Sequence, residues 1–228
     1  MKSSLFLLLF VVIGCSQTKS FNVENIELPK DQKAKSSNLW TKKYKSFYED
    51  ENFTVDQSCH GEFGGYITFT QKSSKNKYVL GATCPVIINN IDGKYYLTST
   101  LAHLMASSEI VEIDNPLHLT LENPEIRSSE TIKGKKVVLD SIGVFTLLSF
   151  KYDDTLFHIT TDSKKMYLSE IKNGKFENVM TIAEKSFWSH DPISFETTDG
   201  HFVSIFENDQ VDGYIEIIGN TIKIFTYR

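Results

Sequence analysis

An all-β fold, antiparallel and connected mainly between neighbours in sequence, is what this chain predicts, and three observations carry the prediction. From Gly65 onward the sequence breaks into short runs of β-branched and aromatic residues, beginning with Tyr66-Ile67-Thr68-Phe69, Tyr78-Val79-Leu80 and Val86-Ile87-Ile88. Between such runs stand Asx-Gly or Gly-Asn pairs, at Asp92-Gly93, Asn173-Gly174, Asp199-Gly200, Asp212-Gly213 and Gly219-Asn220. These residues tolerate the positive φ that tight hairpin turns require. Helical character within this region is confined to Leu101 to Ser107, one or two turns at most.

With 228 residues, 40% of them hydrophobic and 23% charged, the chain is long enough to bury a core, which excludes disordered, fibrous and multi-pass membrane classes. Its start is a different matter. Met1 and Lys2 give a positive beginning, Leu5 to Ile13 is an unbroken apolar run, and Gly14 stands directly before Cys15. The run is too short to span a bilayer, which takes about 20 residues, and residues 1–14 read as a signal peptide. Val12-Ile13-Gly14-Cys15 resembles the lipobox of bacterial lipoproteins, with Ile13 in place of the usual small residue. The resemblance implies a mature chain that begins at Cys15, is acylated there and is held on a membrane of the bacterial cell envelope. Each buried methylene of such chains contributes about 0.8 kcal/mol, so two or three chains anchor stably. By the same resemblance Ser16, rather than Asp, after the cysteine implies the outer membrane more than the inner one.

Residues 15–38 then read as a lipidated tether, because Asp31 to Asn38 is polar and without apolar period. The charge map agrees: residues 16–48 carry +4 and residues 49–228 carry −10, with Lys2 completing the net −5. A basic leader precedes an acidic body. The leader's lysines are solvated or touch anionic head groups, at about 1 kcal/mol each near a surface. The acidic body argues against nucleic acid as a partner. Residues 39–64 form a short amphipathic segment and the entry to the domain. Ser37 is placed to cap it, and Trp40, Tyr44 and Phe47 at i, i+4 and i+7 share one aromatic helical face that docks on the protein's own core. With Cys15 assigned to the anchor, Cys59 and Cys84 are left as an even pair in an oxidising compartment, which predicts a disulfide. Closing that loop is worth about 3 kcal/mol. The missing C-x-x-C spacing argues against redox catalysis and zinc.

Within the all-β domain, residues 65–228, a repeat is visible. The stretch from Leu156-Phe157-His158-Ile159 to Asn178-Val179 lines up with that from Phe202-Val203-Ser204-Ile205 to Ile224-Phe225, each passing an acidic turn and a tyrosine-centred hairpin. Strand repeats of about 45 residues resemble β-propeller blades, and the domain would supply about four. A β-sandwich or open barrel fits the same strands.

No catalytic constellation is legible. His60, His103, His118, His158, His190 and His201 are scattered, and no nucleophile elbow, zinc helix or phosphate loop occurs. His190-Asp191 and Asp199-His201 would form a metal or acid/base pair if their hairpins stacked. Among metal candidates, Asp209 and Asp212 are the nearest approach, but their spacing departs from a calcium loop and reads as a solvated acidic turn. No cofactor signature is present. Asp140-Ser141-Ile142 and Asp154-Thr155-Leu156 resemble a short bacterial O-glycosylation acceptor. The sequence therefore predicts a non-enzymatic binding or scaffold module tethered to a membrane through an N-terminal lipid, with an envelope protein or glycan as partner. The alternatives are a hydrolase acting on carbohydrate, which would place two carboxyls about 5 to 10 Å apart in an aromatic cleft, and an immunity or inhibitor lipoprotein.

Overall fold

The computed structural model describes residues 20–44, 46–103, 105–122, 133–190, 192–207 and 212–228. The lipobox, Cys15, Ser16, Asp191 and Asp209 lie outside the described residues. Strand β1 (Asn22–Leu28) and helix α1 (Lys33–Lys43) precede four sheets that follow one another along the chain. The first consists of β2 (Tyr48–Glu49), β3 (Phe53–Cys59), β4 (Gly65–Gln71) and β5 (Lys77–Gly81). Strands β6 (Pro85–Ile91), β7 (Lys94–Leu101) and β8 (Ser107–Ile113) build the second, with β9 (Thr120–Leu121) crossing back to β5 and β10 (Lys136–Ile142) completing the sheet beside β8. In the third, β11 (Phe145–Tyr152), β12 (Thr155–Thr161), β13 (Met166–Lys172) and β14 (Lys175–Ala183) form an uninterrupted meander. The fourth repeats that meander with β15 (Ile193–Glu196), β16 (Phe202–Glu207), β17 (Asp212–Ile218) and β18 (Thr221–Tyr227), and β1 adds to β18 in parallel. The chain is thus all-β and antiparallel-rich. The two halves of the sequence repeat occupy equivalent places, β12 to β14 and β16 to β18.

Turn chemistry explains the hairpins. Asp92 and Gly93 have φ of 52° and 80°, Asn173 and Gly174 have 53° and 72°, the double positive φ of a type I′ turn. Asp153-Asp154, at 45° and 57°, makes the same kind of turn without a glycine. Asp212-Gly213, expected as a turn, instead opens β17. Here glycine serves a close approach: a Cβ on Gly213 would stand 2.7 Å from Phe206 Cζ and collide with the Phe225 carbonyl. Leu101 to Ser107 is not helical either. Thr98 to Leu101 pair along β8, and Ala106, at φ 60°, turns the chain into that strand.

The expected tether is part of the fold from Phe21 onward, so the β domain begins at Asn22 rather than Gly65. Helix α1 starts at Lys33 after Gln32, and Ser37 is inside it instead of capping it. Its polar sequence is held by tertiary ion pairs. Lys33 Nζ lies 2.6 Å from Asp212 and 3.0 Å from Glu207, and Lys43 lies 3.6 Å from Asp199. Hydrogen bonds to Asp212 and then Glu207 raise the Lys33 pKa above the ordinary lysine value. Trp40 is buried against Phe195 and Tyr214 and Phe47 joins the core of the first two sheets, so these rings do dock on the protein itself, but α1 ends at Lys43 and Tyr44 is already extended, so the expected single helical face of Trp40, Tyr44 and Phe47 does not form. A larger core, from Phe145 and Phe157 to Phe206 and Ile224, joins the second, third and fourth sheets.

Across these cores runs a polar seam. Asn89 donates to the Ser149 carbonyl, Thr98 to the Ser149 hydroxyl, and Ser194 and Ser204 to the Leu147 carbonyl. The Cys59–Cys84 disulfide, Cα atoms 4.3 Å apart, ties the end of β3 to the connection that enters β6.

Candidate functional site

Strand directions define two ends. Asn89 of β6 meets Ser149 of β11, and Thr100, opposite the start of β6, receives the Thr146 amide, so β6 and β11 advance together. Both finish in the turns Asp92-Gly93 and Asp153-Asp154. The β12–β13 register puts Asn173-Gly174 at that end too. So does Gly219-Asn220, because Asn220 donates to the Ser20 carbonyl while the next residue, Phe21, packs 5.1 Å from Tyr152. At the opposite end lie the connections 60–64, 102–106 and 162–165, the first two drawn together by His103 and Glu62, 3.3 Å apart.

A groove of about 620 Å³ opens at this second end, floored by Ala102, Ala106 and Phe145 and walled by Met105 and Trp188. The Gly143 amide bonds to the Ala106 carbonyl and so sets the floor. Phe187 stacks on Phe206 inside the core, 4.9 Å between centroids, and its neighbour Trp188 is turned toward the groove. Met105 is 71% exposed there. The polar rim is spent on holding the loops. Asp162 accepts from the amides of Lys164 and Lys165 and from the Tyr167 hydroxyl, and Ser186 donates to the Asp162 carbonyl. Burial pushes the Asp162 carboxyl up, but these bonds outweigh it and hold it below the ordinary range. What the groove offers a ligand is an apolar, aromatic wall.

Two other grooves bear on hydrolysis. One of about 390 Å³ at the same end holds Glu62, Glu109 and Asp140 and is lined by no aromatic residue. Asp140 and Glu109 face each other across β10 and β8, with Lys135 Nζ 2.9 Å from Glu109. At the first end, a groove of about 350 Å³ combines Phe47, Tyr48 and Phe195 with Glu49 and Glu196. Crowding by protein raises the Glu196 carboxyl, with Lys151 pulling the other way, although the residue keeps contact with solvent. Its counterpart Glu49 is occupied by Lys72 at 2.6 Å.

The hairpins that would have to stack to pair His190 with His201 do not meet. His190 sits before β15 against Trp188, whereas His201 opens β16 at the other end and bonds to Glu216 at 3.2 Å. Asp212 is engaged by Lys33, and among the described residues no three His, Cys, Asp or Glu side chains gather as metal ligands. Nor is any helix among them long and apolar enough to cross a membrane. Met105 and Trp188 carried no sequence signal, since their groove exists only where three loops meet. No family model matches the chain, and no curated protein or solved structure does.

Proposed function

We propose that this chain is a lipid-anchored binding or scaffold module of the bacterial envelope, on the outer membrane, that uses the Met105–Trp188 groove to hold a protein or glycan partner without chemical conversion. The observation that carries the reading is the open apolar wall of this groove, where Met105 is 71% exposed and Trp188 36%. Isolated exposed apolar residues are ordinary, but apolar side chains that wall a groove mark an interaction site. The chemistry of the other grooves supports it further: the groove of Glu62, Glu109 and Asp140 has no aromatic lining, and in the groove that joins aromatic rings to Glu49 and Glu196, Glu49 is held by Lys72. The sequence supports the anchor through the lipobox at Val12 to Cys15.

The test is capture from envelope extracts by the lipid-free domain, residues 16–228, beside a variant combining Met105→Asp with Trp188→Ala. The wild-type domain retains a protein or glycan that the variant loses, while both melt at the same temperature. Equal capture by the two, or no partner for either, would refute the reading.

A further inference from the structure

Resting on the lipid-anchor reading, we infer that the domain stands on the bilayer by the end that carries Gly219-Asn220 and Asp153-Asp154, with the Met105–Trp188 groove turned away from the membrane. The partner of this end is a phospholipid surface.

Reach decides the orientation. Ser20 is fixed in the fold: its carbonyl accepts from Asn220, and Phe21 beside it is buried against Phe150, Tyr152 and Phe157. Cys15 is five residues earlier, and five residues fully extended span at most about 18 Å. A seven-residue strand such as β18 rises about 23 Å. If the far end lay on the membrane, Ser20 would stand at least a strand length above it, beyond what the chain can cover. With the near end down, the same five residues suffice. The sequence's apparent tether therefore provides almost no slack.

The near end offers head groups polar and charged turns, with Asp153, Asp154, Lys172 and Lys175 prominent and Lys151 3.4 Å from Asp154, beside the exposed Leu121 and Val137. Charges of both signs stand there, so attachment depends on the acyl chains and the surface orients the body. At the far end stand Phe63 and Met105. Such side chains would enter lipid if they were offered to it, but the short span from Cys15 to Ser20 holds them away from the bilayer.

The experiment is a lysine footprint with a membrane-impermeant acylating reagent, read by mass spectrometry. The full chain, purified from membranes and bound to phosphatidylcholine vesicles, is compared with the lipid-free 16–228 domain. Lys151 and Lys175 react several-fold more slowly on vesicles, whereas Lys164 and Lys185, at the other end, keep their rates. Protection of Lys164 and Lys185, or no protection of Lys151 and Lys175, overturns the orientation. The same spectra report whether the N-terminal peptide carries acyl groups at Cys15, which tests the anchor separately. If it carries none, the anchor reading fails. The chain coupled through the Cys15 thiol to a maleimide lipid then gives the same footprint, and the orientation stands or falls on that result.

Discussion

His158 is fully enclosed between β11, β13 and Phe176, and its ring is set by one chain of hydroxyls. Thr98 donates to the Ser149 hydroxyl, which in turn shares a hydrogen bond of 2.7 Å with His158 Nδ1. Nε2 has no hydrogen-bond partner among the described residues, and the Phe176 ring lies edge-on to the imidazole, 5.3 Å between centroids. Burial pushes the pKa down to about 3. A histidine so depressed contributes stability that is fully present above its unfolded pKa of about 6.5 and is lost as pH falls toward 3. The loss is about 1.4 kcal/mol per pH unit for one proton. Between pH 7 and 5 the urea midpoint of the wild-type protein falls accordingly, while His158→Gln, which keeps a partner for Ser149 and does not titrate, gives a flatter profile. Parallel profiles would show that the ring takes up no proton on unfolding. None of this was legible in the sequence, where His158 is one of six scattered histidines. The disulfide was legible, since Cys59 and Cys84 needed only parity and compartment. Gly213 shows why turn dipeptides mislead: an Asp-Gly pair that could make a hairpin is used to let the Phe206 ring approach a strand.

Among the elements, the leader departs furthest from expectation. Apolar periodicity detects a helix by its buried stripe, but α1 places Trp40 in the core and sets Lys33 and Lys43 on acids of the fourth sheet. The basic leader and acidic body, legible as separate charge blocks, are the two halves of that contact. Strand β1 was hidden for a related reason: as a short edge strand it buries little, and its place depends on a parallel partner some two hundred residues away. Removing this segment is correspondingly severe. Loss of the Trp40 side chain alone costs about 3 to 5 kcal/mol, against a total stability of about 5 to 15 kcal/mol for a domain. A chain beginning at residue 20 therefore gives the near-ultraviolet circular dichroism of the full mature domain, and one beginning at residue 46 loses it. Retention of that signal by the shorter chain would return residues 20–45 to the role of a tether. The groove escaped the sequence because its walls come from the 102–106 connection, the 162–165 turn and the segment before β15, which only the stacked sheets bring together.

At the scale of the molecule, four open sheets invite the question of whether they behave as one cooperative unit. The apolar contacts fall into separate cores, with Phe69 and Leu97 in one and Phe150 and Phe206 in another, which by itself would permit stepwise unfolding. The polar seam argues otherwise. Asn89 and Thr98 bind the second sheet to Ser149 of the third, Ser108 donates to the Val144 carbonyl, and Ser194 and Ser204 bind the fourth to Leu147. Separating the second, third or fourth sheet strands those buried groups, at about 1 to 3 kcal/mol each, so partial unfolding of these three carries a penalty that complete unfolding into water avoids. The disulfide adds a covalent link between the first and second sheets. Scanning calorimetry of the oxidised domain accordingly gives one transition whose calorimetric and van't Hoff enthalpies agree. Two resolved transitions would mean that the first sheet melts apart from the rest, and that the disulfide and the shared core of the first two sheets do not couple them. Cooperativity also matters for the groove, because its three loops are supported by the second, third and fourth sheets together. A molecule that melts as one unit keeps Met105 and Trp188 in register with each other until it unfolds altogether.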